Sequence, residues 1–436
     1  MMGAPDNISG EMPPSGNIIL VCEDLTPTET VRLNKSVLRG IVTEKGGVTS
    51  HTVILAKALG IPAIVGVEHA LLKISTGTTL LLDAYKGEVI IDPDGQYKED
   101  FFALLNCEHE RHSLYKSQAL GVCETIDGYK VDVNINSGDL ESLSAFSSES
   151  CDGIGLFRTE FLYMESPGYP NEQYQYEVYK DIALRAAGKE VIIRTLDIGG
   201  DKQIAYMNLP KEDNPFLGQR AIRLCFERRD VFLVQLRAIL RAALHGNIKI
   251  MFPMIVTAEE LLEAKSMIAE ASASLMAENI NHRKDLPVAI MVETPSAAIL
   301  SDKLAANCDF FSIGSNDLIQ YITAADRLNQ NVHSLYESCN IAVLRSIQIV
   351  AENARAAKIP WGICGEAAGE DILVPLWVAL GASQLSVAPS RVGRIKYLIR
   401  RCERAALMPE MQAVFDYSTV GEVKAHLCGI LAKIDE

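Results

Sequence analysis

Short apolar runs alternate with longer amphipathic stretches along most of this 436-residue chain, and the alternation predicts strands that alternate with helices. Beyond residue 122, eight apolar runs of strand length each precede a helical pattern. The predicted strands are Val131–Ile135, Gly153–Phe157, Val191–Leu196, Ile248–Phe252, Val288–Val292, Phe310–Ile313, Trp361–Cys364 and Gln384–Val387. The helical patterns include Gln219–Leu244, Ala258–Glu278 and Leu335–Ala357. Eight such units in about 310 residues predict an α/β fold with a closed (β/α)8 TIM barrel over residues 123–436. An open doubly wound sheet is the alternative, but no Gly-x-Gly-x-x-Gly turn follows any predicted strand.

The part of the chain before the predicted barrel has a different pattern. Apolar runs at Ile18–Val21 and Ala63–Val65 predict two strands, and Thr79–Asp83 and Glu88–Ile91 flank a short turn in the manner of a hairpin. Together with one amphipathic helix between them, these elements predict a small α/β domain over residues 17–95.

Two further segments complete the predicted organisation. Residues 1–16 are rich in Pro, Gly and polar side chains and predict a flexible N-terminus. The charged stretch Tyr97–Ala119 has regularly spaced leucines and no Gly or Pro. It predicts a helix roughly 35 Å long, within a linker over residues 96–122.

Composition and charge narrow the functional class. The net charge of −15 disfavours binding to nucleic acid and to anionic membranes. No apolar stretch is long enough to span a bilayer, and the N-terminus has no signal-peptide pattern. Ten cysteines without a Cys-x-x-Cys pair are typical of reduced thiols, so we expect a cytoplasmic protein with no membrane insertion and no nucleic-acid partner.

His51 is the first candidate for chemistry. It follows Gly46-Gly47-Val48-Thr49-Ser50 and lies in the first turn of the predicted amphipathic helix, with Thr49 or Ser50 as N-cap. Unpaired N–H groups and partial positive charge at a helix start stabilise a bound anion, and a neutral imidazole is a nucleophile near pH 7. A histidine that accepts a phosphoryl group is one interpretation. A histidine that merely occupies a glycine-rich turn is the other.

Polar residues at the ends of the predicted barrel strands decide between these interpretations. They are Arg158 and Arg194, the carboxylates Glu293 and Asp317, and Asn316 and Cys364, with Arg220 and Arg327 just beyond such positions. Active sites of such barrels lie at the carboxyl ends of the strands. Guanidinium groups bind phosphate oxygens, and two carboxylates supply oxygen ligands for Mg²⁺. Taken singly, Glu293 or Asp317 is a candidate helix N-cap and a cysteine is usually a buried apolar residue, but their common position indicates a phosphate site with a metal.

At these residues the sequence closely resembles enzyme I of the bacterial sugar phosphotransferase system, the phosphoenolpyruvate–protein phosphotransferase family. Gly-Gly-Val-Thr-Ser-His at 46–51 resembles its phosphohistidine signature. The remaining matching segments follow in order at 155–164, 194–202, 214–223, 251–254, 291–295, 309–318 and 362–366. Several of them are long and unusual, so the resemblance is specific.

The resemblance implies roles for the site residues. Phosphoenolpyruvate would be the donor, with its phosphate held by Arg158, Arg194, Arg220 and Arg327, and with Lys202 nearby. Glu293 and Asp317 would coordinate Mg²⁺, and Asn316 and Asp317 would face the substrate. His51 would take the phosphoryl group, and Cys364 would protonate the enolate that remains. The implied partners are a histidine-containing phosphocarrier protein and a second copy of the chain in a homodimer formed through the barrel.

The chain also departs from the family pattern. Ser315 replaces a threonine, and Leu328 replaces a common glycine. Only fifty residues precede His51, so we expect the helical subdomain that docks the phosphocarrier to be absent, and whether the first strand of the small domain is also missing stays open. Two alternative functions remain: a fragment of a pyruvate phosphate dikinase or phosphoenolpyruvate synthase, and a truncated relative that binds phosphoenolpyruvate without relay to the carrier.

Overall fold

The computed structural model describes residues 16–25, 37–46, 52–53, 56, 61–84, 86–138, 149–200, 202 and 204–435. The chain folds as two compact units, Met1–Arg111 and His112–Glu436. No helix in these described ranges is both long enough and apolar enough to cross a bilayer.

The first unit contains a three-stranded parallel sheet and a hairpin. The sheet is formed by β1 (Ile18–Cys22), β2 (Leu38–Thr43) and β3 (Ala63–Ile64), in that order. A short helix, α1 (Ala70–Lys73), precedes the antiparallel pair β4 (Leu80–Asp83) and β5 (Glu88–Ile91). The two predicted strands, at β1 and β3, and the hairpin are therefore confirmed.

The central strand β2 was not predicted from the sequence. Its apolar run is interrupted by Arg39 and Gly40, which weakens the strand pattern. The glycine has a packing reason, because a Cβ atom at Gly40 would lie 2.7 Å from Leu82 Cδ2 in the hairpin. The absence of a side chain there allows the hairpin to approach the sheet.

The predicted linker helix is observed as α2 (Gly95–Gln118). Its last turn belongs to the second unit and lies against the helix that follows the last barrel strand. A Cβ atom at Gly393 would lie 2.0 Å from the carbonyl oxygen of Tyr115, so the two backbones are in direct contact. Arg400 donates to the carbonyl oxygens of Gln118 and Leu120, which satisfies acceptors that a helix end leaves unpaired.

The second unit is a closed barrel of eight parallel strands, in which each strand pairs with its neighbours in sequence and the last pairs with the first. The strands are β6 (Asp132–Ser137), β7 (Gly153–Phe157), β8 (Glu190–Arg194), β9 (Asn247–Phe252), β10 (Val288–Val292), β11 (Phe310–Gly314), β12 (Trp361–Cys364) and β13 (Gln384–Val387). All eight predicted strands and the (β/α)8 fold class are confirmed.

Helices surround the barrel. They are α3 (Glu160–Met164), α4 (Glu172–Arg185), α5 (Ile222–Glu227), α6 (Arg229–Ala242), α7 (Ala258–Ala277), α8 (Pro295–Ile299), α9 (Ser301–Ala305), α10 (Ser315–Thr323), α11 (Ile341–Ala357), α12 (Val374–Leu380), α13 (Val392–Ile399), α14 (Arg404–Gln412) and α15 (Val420–Asp435). Their apolar faces and the outer faces of the strands form one continuous core.

Two predicted helices are shorter than the sequence pattern suggested. The pattern Gln219–Leu244 is divided at Arg228, where φ is −105° and ψ is 59°. It also begins later, because the amide of Ala221 donates to the carbonyl of Ile198 and holds Arg220 outside the helix. The second helix, α11, begins after Asn340, whose side chain accepts from the amide of Ala342 as an N-cap.

A small cluster of strand side chains fills the inside of the barrel. Its members are Leu156, Ile192, Met251, Ala289, Met291, Phe310 and Cys364. Leu156, Met291 and Cys364 also line the cavity at the carboxyl end of the barrel, so this cluster forms the apolar floor of the candidate site.

Candidate active site

A cavity of about 350 Å³ opens at the carboxyl ends of the barrel strands, where the chemistry of such barrels is located. It is lined by Leu156, Arg158, Arg194, Asp197, Lys202, Arg220, Met291, Glu293, Gly314, Ser315, Asn316, Asp317, Arg327, Leu328, His333, Tyr336, Cys364, Gly365 and Glu366. All the site residues predicted in the barrel are in this set, from five strand ends and the loops that follow them.

Two buried carboxylates fix the orientation of Arg194 at the end of β8. Its Nη2 donates to Glu160 Oε1 at 2.5 Å, and its Nη1 lies 2.9 Å from Asp197 Oδ2. All three side chains are at most 6% exposed. Lys202 Nζ lies 3.5 Å from Glu160 Oε1 and 4.0 Å from Asp197 Oδ2, so the same two acids also attract the lysine.

Asp197 joins this group to Arg220. Arg220 Nη2 donates to Asp197 Oδ1 at 2.9 Å, and Arg220 is 3% exposed. Burial by itself raises the pKa of Asp197, but the charges of Arg194, Arg220 and Lys202 outweigh it and hold this pKa well below its usual range. Asp197 is therefore ionised, and it neutralises part of the positive charge of the cavity.

Asp317 contacts two guanidinium groups, those of Arg220 and Arg327. Arg220 Nη1 lies 3.2 Å from Asp317 Oδ1, and Arg327 Nη1 lies 3.4 Å from the same oxygen. Three arginines and a lysine thus converge on the cavity, while Arg158 is exposed at its edge after β7. The Nε atoms of Arg194 and Arg220 are buried without a hydrogen-bond partner, so the cations depend on their terminal nitrogens for pairing.

Glu293 and Asp317, the two carboxylates predicted as metal ligands, both line the cavity. Burial, followed by the charges of Asp317 and Asp197, raises the pKa of Glu293 to about 8. Carboxylates that repel one another in a buried site are typical of a position that a cation neutralises. Among the described residues, no group of three or more His, Cys, Asp or Glu side chains is arranged to hold a metal. Two carboxylates that line one cavity fit the usual binding of Mg²⁺ by one or two carboxylates together with oxygens of the substrate.

Cys364 lies at the end of β12 with its thiol in the floor of the cavity. Its Sγ lies 3.4 Å from the carbonyl oxygen of Ile313 and 3.6 Å from Ser312 Oγ. Burial raises the pKa of the Cys364 thiol to about 11. The sulfur therefore carries its proton at neutral pH, as a proton donor must.

The loops that begin α10 and follow β12 hold each other through polar contacts. Asn316 Oδ1 accepts from the amide of Glu366 at 2.9 Å, and Ser315 Oγ donates to the carbonyl of Cys364 at 2.7 Å. Gly365 has φ +87°, and a Cβ atom on it would lie 2.4 Å from Ser315 Oγ and 2.6 Å from Asn316 Oδ1. Ser315 thus makes a direct contact in the site.

Sequence reasoning missed two acids, Glu160 and Asp197. Both lie just after strand ends, in the segments Arg158-Thr-Glu160 and Arg194-Thr-Leu-Asp197, and that position is a usable signal. The sequence does not show their role, because a carboxylate beside a phosphate site is unfavourable unless guanidinium groups pair with it. Their role is to hold the cations in place.

His51, together with residues 47–50, lies outside the described residues. Thr52, Val53 and Ala56 are helical, and Thr52 and Ala56 are buried. The role of His51 as the nucleophile therefore stays a prediction.

Known proteins share both parts of this chain. Residues 114–404 match the family described as PEP-utilising enzyme, PEP-binding domain, and residues 14–87 match the family described as PEP-utilising enzyme, mobile domain. The chain is 40% identical over 417 residues to the phosphoenolpyruvate-protein phosphotransferase of Priestia megaterium, a match that covers 96% of this chain and 73% of that protein.

Other relatives carry the same name. The Bacillus subtilis (strain 168) protein is 40% identical over 418 residues, which cover 94% of this chain and 72% of the relative. The Latilactobacillus sakei protein is 41% identical over 411 residues, which cover 93% and 71% respectively. With this identity, this coverage and both domain matches, the chain belongs to the phosphoenolpyruvate–protein phosphotransferase family.

Proposed function

We propose that this chain transfers the phosphoryl group of phosphoenolpyruvate to its own His51 and releases pyruvate. The observation that carries the proposal is the cavity at the barrel rim. It brings together the cations Arg194, Arg220, Arg327 and Lys202, the carboxylates Glu293 and Asp317, and the protonated thiol of Cys364. Family membership selects the donor, because the matched domains are those of PEP-utilising enzymes. We assign residues 17–95 to the mobile phosphohistidine domain, 96–122 to its linker and 123–436 to the donor-binding barrel.

The cations of the cavity have a specific task in this reaction. Arg194, Arg220 and Arg327, with Arg158 and Lys202 at the edge, bind the phosphate oxygens and neutralise their charge. In phosphoryl transfer, positioning and charge neutralisation supply most of the catalysis. Since Glu160, Asp197 and Asp317 already hold the guanidinium groups, little reorganisation is required when the phosphate arrives.

Glu293 and Asp317 would hold Mg²⁺ in this proposal. When bound, the ion supplies Lewis-acid polarisation of the phosphoryl oxygens. The two carboxylates lie at the ends of neighbouring strands, β10 and β11, beside the arginines that hold the phosphate. Asn316, fixed by the amide of Glu366, would orient the substrate.

The transfer itself uses two groups of this chain. A ring nitrogen of His51 forms the bond to phosphorus, and the bond from phosphorus to the enol oxygen breaks, with its electron pair remaining on that oxygen. Cys364 then gives its thiol proton to the methylene carbon of the enolate, which becomes pyruvate. The thiolate that remains regains a proton from water before the next cycle.

We further propose that phospho-His51 passes its group to a histidine-containing phosphocarrier protein and that the chain acts as a homodimer in the cytoplasm. The name shared by the relatives supports a protein acceptor. The sequence has ten cysteines and no Cys-x-x-Cys pair, which fits a reducing compartment.

Incubation with phosphoenolpyruvate and Mg²⁺ tests the proposal directly. We expect an intact-mass increase of one phosphoryl group that is lost in acid and retained in base, as phosphohistidine requires. His51→Gln should abolish this label. His69→Gln, a change at an exposed histidine of the same unit, should leave it unchanged.

Two outcomes would overturn the proposal: no label on the wild-type chain, or equal labelling of His51→Gln. Omission of Mg²⁺ and the variant Glu293→Gln should each reduce labelling, and full labelling without any divalent cation would contradict the metal assignment. Transfer from the labelled chain to purified phosphocarrier protein tests the relay separately. Labelling without transfer would favour a chain that binds and cleaves the donor without relay.

A further inference from the structure

An aromatic ring lies behind the phosphate-binding arginines. The guanidinium carbon of Arg220 is 5.7 Å from the centre of the Phe216 ring, and that of Arg327 is 5.5 Å from it. Both distances are within the range of a cation–π contact. Arg220 and Arg327 line the cavity, and Phe216 is not among its described lining residues.

Phe216 is held by one contact to its backbone and one to its ring. The Tyr321 hydroxyl donates to the carbonyl oxygen of Phe216 and accepts from Arg220 Nη1 at 3.1 Å. On the other side is Gly200, with φ +66°, where a Cβ atom would lie 3.2 Å from two ring carbons. The ring therefore has a fixed position, and Tyr321 connects it to one of the two arginines.

The charges of the site explain why such a ring is useful. Arg220 and Arg327 both point at Asp317 Oδ1, so two positive groups share one oxygen of a single carboxylate. Asp317 is also a proposed metal ligand, and a metal ion would draw charge from the same oxygens. The negative face of an aromatic ring attracts both guanidinium groups without competing for phosphate or metal.

We propose that Phe216 is a positioning residue that holds Arg220 and Arg327 at the spacing required by the phosphate of the donor. The proposal rests on the proposed function, because it assigns the phosphate to these two arginines. The ring acts through its electrostatic face, so its effect depends on the electron density of the ring as well as on its size.

Stepwise fluorination of the ring separates electrostatics from shape. Phenylalanine with one, two or three ring fluorines is placed at position 216 by site-specific incorporation, since fluorine weakens the negative face with little change in volume. We expect the KM for phosphoenolpyruvate to rise with each fluorine and to reach about fivefold to thirtyfold, with a smaller change in kcat. The same series at Phe226, which packs against the main core, is the matched control and should leave KM unchanged.

The binding of phosphoenolpyruvate, measured by calorimetry, provides a second readout that does not require catalysis. Phe216→Leu keeps an apolar side chain and should weaken binding as strongly as the most fluorinated ring. Gly200→Ala, which presses a methyl group against the ring, should weaken it as well. Thermal unfolding of each variant tests whether the fold is retained.

A KM and a dissociation constant that do not change across the fluorination series would overturn the positioning role, as would an equal response at Phe226. Failure of the proposed function looks different. In that case the wild-type chain is not labelled at His51, while any donor binding measured by calorimetry still reports whether the ring matters.

Discussion

Arg220 Nη2 and Asp197 Oδ1 are 2.9 Å apart, and both side chains are almost completely buried. The pair lies in the cavity that we propose binds the phosphate of the donor. A negatively charged carboxylate therefore lies beside a site for a second anion. Asp197 contacts Arg194 with its other oxygen, and a single acid thus sets the positions of two cations.

Removal of this carboxylate takes one of two acidic partners from each of two buried guanidinium groups, since Arg194 keeps only Glu160 and Arg220 keeps only Asp317. We expect Asp197→Asn to reduce the free energy of unfolding by about 3 to 5 kcal/mol, as for other broken buried ion pairs. An added anion should replace the lost charge, so inorganic phosphate should raise the melting temperature of the variant more than that of the wild-type chain. Thermal unfolding with and without phosphate measures both effects.

A surface pair provides the control for that experiment. Asp181 pairs with Arg185 at 2.7 Å, and both side chains are about half exposed. Asp181→Asn should change stability little and should not alter the response to phosphate. An equal response of both variants to phosphate would contradict the role given to Asp197.

The barrel could be predicted because its strands are buried on both faces and therefore form unbroken apolar runs, such as Val288–Val292. Most site residues could then be predicted from their position at the carboxyl ends of the strands, because the barrel brings these ends together at one rim. Glu160 and Asp197 were missed because their role depends on which arginines lie beside them in space. Phe216 was missed for the same reason, as a ring in a Pro-Phe-Leu turn has no visible partner in the sequence.

The small unit was less predictable. Strand β2 was not predicted because Gly40 interrupts its apolar pattern. The reason for the glycine is its contact with Leu82, which only the structure shows. The late start of the helix predicted over Gln219–Leu244 was not visible in the sequence, because it depends on a hydrogen bond from the amide of Ala221 to the carbonyl of Ile198 that holds Arg220 outside the helix. Tertiary contacts of this kind outweigh local propensity.

Cys364 should react slowly with alkylating reagents near neutral pH. With a pKa of about 11, about one thiol in a thousand is ionised at pH 8, and the thiolate is the reactive form. Its rate of carbamidomethylation should rise about tenfold per pH unit between pH 8 and 10. Peptide mass spectrometry after timed treatment with iodoacetamide measures this rate.

The exposed thiols Cys107 and Cys428 serve as internal references in the same digest. Both should be modified well before Cys364 at pH 8. If Cys364 reacts as fast as they do, its thiol is not protected by burial and its assignment as a neutral proton donor is wrong.

Gly365 should not tolerate a side chain. A methyl group there would collide with Ser315 Oγ and Asn316 Oδ1, at a backbone angle of +87° that disfavours alanine. We expect Gly365→Ala to lower kcat/KM for phosphoenolpyruvate by about a hundredfold, the effect of misplacing site groups by an ångström. Steady-state kinetics of pyruvate release measures the change.

Gly168→Ala is the matched control, because a Cβ atom at Gly168 meets no atom within 4 Å. It should leave both activity and stability close to those of the wild-type chain. Near-normal kinetics for Gly365→Ala would show that Asn316 and Ser315 can move without loss, and their assigned role in positioning the substrate would then fail.

Gly393 should be equally sensitive, for a different reason. It allows the last turn of α2 to touch α13, and a Cβ atom there would lie 2.0 Å from the carbonyl oxygen of Tyr115. Arg394 reinforces the same contact, since its Nη1 donates to the Tyr115 hydroxyl at 2.7 Å. The end of the linker helix is therefore fixed to the barrel by close backbone packing and a buried guanidinium.

We expect Gly393→Ala to detach this last turn while the barrel stays folded. Trypsin should then cut after Lys116 several-fold faster than in the wild-type chain, as local opening exposes the backbone. Limited proteolysis followed by mass spectrometry identifies the cleavage site and its rate. Gly429→Ala, at an exposed helical position with no atom within 4 Å of the added carbon, should stabilise slightly and leave cleavage unchanged. Identical cleavage rates in Gly393→Ala and the wild-type chain would show that the end of the linker is not fixed by this contact.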